Sequence, residues 1–307
     1  MRRSRWRVGL GAAAAFVAAL VVVAPLFMKA NPRLLPTRTP ADVGLAFEDV
    51  TFSPPDLPLK LKGWLMPAAS SKATIVVVHG GGEDNRSIPY GKGLELMHDL
   101  VVHGYSVMAI DLRNFGESDA SPDGKATFGV TEAADVVGAV DFLKKRDAST
   151  RIAALGFSMG GSTVIYAAAR DPRIEAVVTD SAFAESRAIT ANFVKAAMGI
   201  PPWLSAPLLW SAEHIHGAPL SAGRAIDVVG GIAPRPLLVI QDASDPIVPL
   251  EQGRALAAAC PGAELWVTDY ASRATGPFGT HIHAYEFGPD AWVARVTGFL
   301  DRTFAAR

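Results

Sequence analysis

Apolar residues along this chain fall into short blocks separated by stretches of helical periodicity. The block Thr74–Val78 reads Thr-Ile-Val-Val-Val, and further largely apolar blocks occupy residues 105 to 110, 151 to 155, 174 to 179, 237 to 240 and 263 to 267. Runs of this length predict strands, and the unbroken ones at 74 to 78 and 237 to 240 predict strands buried on both faces. Residues 47 to 52 and 59 to 66 add an opening strand pair with a proline-rich turn between them. Strand and helix patterns then alternate, which predicts an α/β fold: a mostly parallel, eight-stranded sheet with helices on both faces. Ligands of such sheets bind beyond the carboxyl ends of the strands. The loops that follow the apolar blocks are therefore where chemistry is expected.

One of those loops is Gly156-Phe157-Ser158-Met159-Gly160-Gly161, set between the apolar block at 152 to 155 and an apolar helical pattern at 163 to 169. This predicts strand, sharp turn and helix, with a serine at the apex. A serine hydroxyl is a weak nucleophile and needs exposure, a base within hydrogen-bond reach, and donors for the oxyanion that forms on attack. Small flanking residues let strand and helix approach closely enough to hold such a serine in a strained backbone conformation. A five-residue G-x-S-x-G also occurs in ordinary turns, so the partners decide.

In this architecture the oxyanion loop lies upstream of the nucleophile, and an acid and then a histidine lie downstream. Upstream, the block at 74 to 78 ends in His79-Gly80-Gly81-Gly82. The N–H groups of Gly81 and Met159 are the expected oxyanion donors, and His79 is expected to shape the loop. Downstream, the block at 237 to 240 runs into Gln241-Asp242-Ala243-Ser244-Asp245-Pro246, where two carboxylates compete. Asp245 is the expected acid because it lies deeper in the loop; Asp242, closer to the strand, is expected to fix the loop through backbone hydrogen bonds. The base comes from Gly279-Thr280-His281-Ile282-His283. His281 is preferred, since His283 already begins the last helical pattern. An H-x-H pair without a third ligand is a weak metal signal, and neither a metal nor an organic cofactor is expected.

These landmarks, together with Asp111-Leu112-Arg113-Asn114-Phe115-Gly116-Glu117-Ser118, resemble those of the α/β-hydrolase superfamily, in the group of serine aminopeptidase-like and bacterial lysophospholipase-like domains. The resemblance spans almost everything after about residue 40. It implies Ser158, Asp245 and His281 as nucleophile, acid and base, and Gly81 with Met159 as the oxyanion hole. Many relatives carry His-Gly where this chain has Gln241-Asp242, a departure expected to alter loop packing more than chemistry. Arg113 sits in a loop rich in hydrogen-bonding side chains and is expected to be scaffold.

At the amino end Arg2, Arg3, Arg5 and Arg7 precede an apolar run from 8 to 28, 21 residues long. That is near the length that spans hydrocarbon as a helix, and basic residues before it predict an N-terminus left in the cytoplasm. Residues 1 to 30 are therefore expected to be a signal anchor, with a cleaved signal peptide as the alternative. Residues 31 to 44 form a linker, and residues 45 to 307 the catalytic domain, placed outside the cytoplasm. Within it, residues 184 to 230 hold Phe193, Met198, Ile200, Trp203, Leu208, Leu209 and Trp210 and form a lid-like insert. These residues either cover the site or pack the insert onto the core.

The chain has 307 residues, 50% of them hydrophobic and 19% charged, which suits one sizeable α/β domain beyond the anchor. Six basic residues and no acids lie in positions 1 to 33; taking them from a net charge of −1 leaves −7 for the remainder. An acidic domain is not a nucleic-acid binder. The single cysteine, Cys260, forms no internal disulfide and reads as a packing residue. The expected activity is hydrolysis of a carboxylic ester, with a thioester or amide also open, on a small-molecule substrate. The alternatives are an aminopeptidase-like enzyme, for which Glu185, Glu213 and Asp227 are scattered candidates for binding an α-amine, and a non-catalytic binding scaffold.

Overall fold

The computed structural model describes residues 2–18, 21, 33–82 and 84–305. Eight strands form one sheet: β1 (Glu48–Phe52), β2 (Leu61–Met66), β3 (Thr74–Val78), β4 (Ser106–Ile110), β5 (Ile152–Phe157), β6 (Ile174–Asp180), β7 (Leu237–Asp242) and β8 (Glu264–Thr268). Their order is β1-β2-β4-β3-β5-β6-β7-β8. The opening pair runs antiparallel and joins β4 antiparallel; every other pairing is parallel.

The unbroken apolar blocks of β3 and β7 are explained by burial on both sides, whereas the edge strand β8 is only partly buried. Along β3, Val76 and Val78 face one core with Met108, Ile110 and Ala154, while Ile75 and Val77 face the other with Val107, Ala109 and Leu155. Helices Ala133–Arg146, Met159–Arg170 and Leu250–Ala259 contribute to the first core. Helices Gly93–Val102 and Pro289–Phe304 contribute to the second. Parallel registry brings the carboxyl ends of β5, β6 and β7 level, with Phe157 opposite Asp180 and Asp180 opposite Ile240. The Ser158, Asp180 and Asp245 regions are thereby gathered at one edge of the sheet.

The insert contains helices Ser186–Met198 and Pro202–His214, which pack on each other through Val194, Leu208, Leu209 and Ala212. Leu208 and Leu209 are thus interior residues of the insert, whereas Met198, Trp203 and Trp210 are exposed.

The expected membrane-spanning helix is not found among the described residues, where no helix is long and apolar enough to cross a membrane. The amino-terminal helix, Arg2–Ala18, has 17 residues and includes Arg2, Arg3, Arg5 and Arg7. Most of the remaining apolar run, residues 19, 20 and 22 to 28, lies outside the described residues. From residue 33 the expected linker lies against the domain: Arg33 donates to the Ser118 carbonyl at 2.8 Å, and Asn85 donates to the Leu34 carbonyl at 3.1 Å.

Candidate active site

The turn between β5 and the helix Met159–Arg170 is steric in origin. Ser158 has φ 49° and ψ −114°, a conformation that costs a non-glycine residue energy. It persists because the surroundings leave no alternative. A Cβ on Gly156 would lie 2.2 Å from the Gly160 carbonyl oxygen, and one on Gly160 would lie 2.3 Å from the His79 carbonyl oxygen. The two glycines therefore let strand, turn and the loop after β3 interlock. The Ser158 N–H donates to the Asp180 carbonyl at 2.9 Å, tying the turn to β6.

The structure brings Ser158, His281 and Asp245 into one hydrogen-bonded chain. His281 Nε2 lies 2.9 Å from Ser158 Oγ, and His281 Nδ1 lies 2.8 Å from Asp245 Oδ2. An ionised carboxylate can only accept, so Nδ1 carries the proton and the neutral ring leaves Nε2 free to accept from the Ser158 hydroxyl. Asp245 is itself held: its Oδ1 accepts the N–H groups of Ile247 and Val248 at 2.8 and 2.9 Å. Gln241 Nε2 donates to Asp245 Oδ2 at 3.3 Å and to the Val248 carbonyl at 2.7 Å. The residue that departs from the family pattern thus touches the acid directly.

The two competing residues lie elsewhere. Asp242 accepts from the N–H groups of Ser244 and Tyr270 and from the Thr268 hydroxyl, all at 2.9 Å, and so pins the loop between β7 and β8. His283 Nδ1 lies 2.9 Å from Glu286 at the start of the short helix Ala284–Phe287.

Gly81 packs against the residue after the serine, since a Cβ there would lie 3.4 Å from Met159 Sδ. Among the described residues, neither the Gly81 nor the Met159 N–H donates to a protein acceptor. For Met159 this follows from its place as the first residue of a helix, whose leading N–H groups have no intrahelical partner. The same helix end carries partial positive charge. The neighbouring Gly80 N–H is engaged, donating to Asp84 Oδ2 at 2.8 Å. Burial pushes the Asp84 carboxyl up. Asp84, which sequence reasoning missed, thus fixes the loop immediately before Gly81. His79 shapes the same loop: its Nε2 accepts from the Leu112 N–H at 3.2 Å.

Arg113 is 1% exposed and is consumed by ion pairs with Asp135 at 2.6 Å and Asp56 at 2.8 Å. From the insert, Phe193 reaches the site's rim. Its Cζ lies 3.8 Å from the place a Gly82 Cβ would occupy, and its ring meets Phe278 edge-on at 6.0 Å between centroids. The acids weighed for binding an α-amine are already paired. Glu185 and Asp227 contact Arg224 at 2.9 and 2.8 Å, and Glu213 contacts Arg187. Among the described residues no group of three or more His, Cys, Asp or Glu is arranged to hold a metal ion.

The model of the alpha/beta hydrolase fold family matches residues 73–218. An esterase of Pyrococcus furiosus, Pf2001, superposes with a TM-score of 0.72 at 26% identity, covering 89% of this chain and 98% of that one. The alpha/beta hydrolase GrgF of a Penicillium species superposes with a TM-score of 0.65 at 21% identity, over 85% of this chain and all of its own, a likeness of fold. An uncharacterized 31.7 kDa protein of Escherichia coli, from the traX-finO intergenic region, is 33% identical over 84 residues, 27% of this chain. The chain spans 29% of the length of the curated relatives it matches. With the eight-stranded order and the strained serine turn, these likenesses have one consequence: the chain has the alpha/beta hydrolase fold.

Proposed function

We propose that this protein is a serine hydrolase that cleaves a carboxylic ester through an acyl-enzyme on Ser158. The observation that carries the reading is the chain of hydrogen bonds at 2.9 and 2.8 Å from Ser158 through His281 to Asp245. His281 takes the hydroxyl proton as Ser158 Oγ attacks the carbonyl carbon, and Asp245 stabilises the imidazolium that forms. The Gly81 and Met159 amides donate to the oxyanion. His281 then returns the proton to the leaving oxygen, and the acyl-enzyme remains. Water attacks it by the same route and frees the acid.

Ester cleavage is preferred over peptide cleavage for two reasons. The acids Glu185, Glu213 and Asp227 of the insert are occupied by Arg187 and Arg224, which leaves none of the three prepared for an α-amine. A solved structure similar over 89% of the chain is described as an esterase. A binding scaffold has no need of a strained serine at φ 49° hydrogen-bonded to a histidine. Turnover of nitrophenyl esters from acetate to palmitate, set beside aminoacyl nitroanilides, tests this reading. Ester turnover with inert anilides is expected, and the reverse order of preference would overturn it.

The location is proposed from sequence alone: the apolar run behind four arginines supports export, with residues 1 to 30 as anchor or signal. Cell fractionation decides the matter, since recovery of the intact chain with the cytosol contradicts it.

A further inference from the structure

We propose that Asp180 and Ser181, at the end of β6, are positioning residues that hold the His281 loop against the Ser158 turn. The pair lies between the two elements it joins. Its backbone faces the serine and acid sides: the Ser158 N–H donates to the Asp180 carbonyl at 2.9 Å, and the Ser181 N–H donates to the Ile240 carbonyl of β7 at 3.0 Å. Its side chains face the histidine side. The Ser181 hydroxyl donates to Asp180 Oδ1 at 3.1 Å, and the N–H of Ile282, the residue after His281, donates to Ser181 Oγ at 3.1 Å. The other carboxylate oxygen, Oδ2, accepts from Trp292 Nε1 at 3.0 Å. Asp180 and Ser181 are each 1% exposed.

The direction of these bonds is dictated by chemistry. An ionised carboxylate only accepts, and a hydroxyl has one proton. Asp180 therefore takes that proton and turns a Ser181 lone pair toward the Ile282 N–H. The other amides of the loop close local turns, His281 to the Phe278 carbonyl and His283 to the Thr280 carbonyl. Among the described residues, the Ser181 contact is the one hydrogen bond that ties the backbone of residues 278 to 283 to the sheet. Both partners sit in left-handed backbone, Ser181 at φ 57° and Ile282 at φ 58°. Such conformations persist where the surroundings over-determine them. Asp245 orients the His281 ring, whereas Ser181 sets where its backbone lies.

This inference rests on His281 being the base, and its test carries a readout that does not. Ser181→Gly removes the hydroxyl at a φ that suits glycine, so the fold is expected to persist; Ser181→Ala is its companion. Hydrogen exchange at the Ile282 amide and the steady-state constants for a short nitrophenyl ester are measured at pH 8. In both variants the Ile282 amide is expected to lose protection, and kcat to fall about ten- to a hundredfold, the scale of a misplaced catalytic group. KM should stay within about twofold of wild type, because neither residue is placed against substrate. Wild-type exchange at Ile282 in both variants would overturn the proposal, as would an unchanged kcat beside an unprotected amide. A wild-type protein that hydrolyses no ester refutes the proposed function, and the exchange rates still decide the tie.

Discussion

His281 Nε2 lies 2.9 Å from Ser158 Oγ across 123 positions of sequence. The two residues share no strand or helix. Their meeting depends on the parallel registry of β5 to β8 and on the loops at the carboxyl ends of β5 and β8, which carry Ser158 and His281. Replacing Ser158 with Ala removes the proposed nucleophile and leaves the packing of the turn. A loss in kcat of about 10³-fold or more is expected, with an unfolding transition close to wild type. Steady-state kinetics beside thermal unfolding check both.

Asp245→Asn is expected to be nearly as damaging, for a different reason. The carboxylate accepts from Nδ1 at 2.8 Å and so fixes the tautomer. An amide can present its NH₂ to the ring instead, moving the proton to Nε2, where it opposes the Ser158 hydroxyl. Loss of kcat by about 10³- to 10⁴-fold with little change in KM is the expected outcome. Full activity in this variant would remove Asp245 from the mechanism.

Much of the fold was legible because each strand is a compact apolar block between polar or glycine-rich turns, as at Thr74–Val78. The serine turn and the glycine loop were legible because backbone geometry forces small residues at fixed spacing around Ser158 and after His79. Asp84, Asp180, Ser181 and Gln241 were not. Their contributions are hydrogen bonds to Gly80, Ile282 and Asp245 that exist only once separate loops converge, and no spacing in sequence announces them. The insert's apolar residues meet different fates, because a helix pair small enough to bury Leu208 and Leu209 leaves Trp203 and Trp210 outside.

Gly160→Ala tests the interlock beneath the serine. Its Cβ would meet the His79 and Val78 carbonyl oxygens at 2.3 and 2.4 Å, and these belong to backbone that cannot yield. Destabilisation by about 3 kcal/mol or more is expected, read by denaturant unfolding. A neutral result would show that the strand and the turn separate freely.

Arg113→Met tests the buried ion pair beside the site. It leaves Asp135, whose carboxyl burial already pushes up to about 7, without its partner at 2.6 Å. A stability loss of about 3 to 5 kcal/mol is expected, as for other broken buried pairs. Activity per folded molecule should be retained, since Arg113 touches none of Ser158, His281 and Asp245.

Asp180 makes stability depend on pH. Burial, reinforced by the nearby Asp245, pushes its carboxyl from an ordinary 3.8 up to about 6 against hydrogen bonds from Trp292 and Ser181. Below pH 3.8 it is protonated in both the folded and the unfolded chain, and between 3.8 and about 6 only the folded chain keeps the proton. Folding stability is therefore lost from this group as pH rises through that window, to a total on the order of 3 kcal/mol. Asp180→Asn does not titrate, so its stability relative to wild type should improve from pH 4 to pH 8 by about that amount. Parallel urea unfolding curves at the two pH values give the difference directly.

The central claim is that Ser158 is a nucleophile activated by its neighbours, and covalent labelling addresses it most directly. The folded domain is treated with a fluorophosphonate probe, digested, and the modified peptide identified by mass spectrometry. One phosphonyl group per chain, on Ser158 and absent from Ser158→Ala, is the predicted result. Labelling of another residue, or none in a protein that unfolds cooperatively, would contradict it.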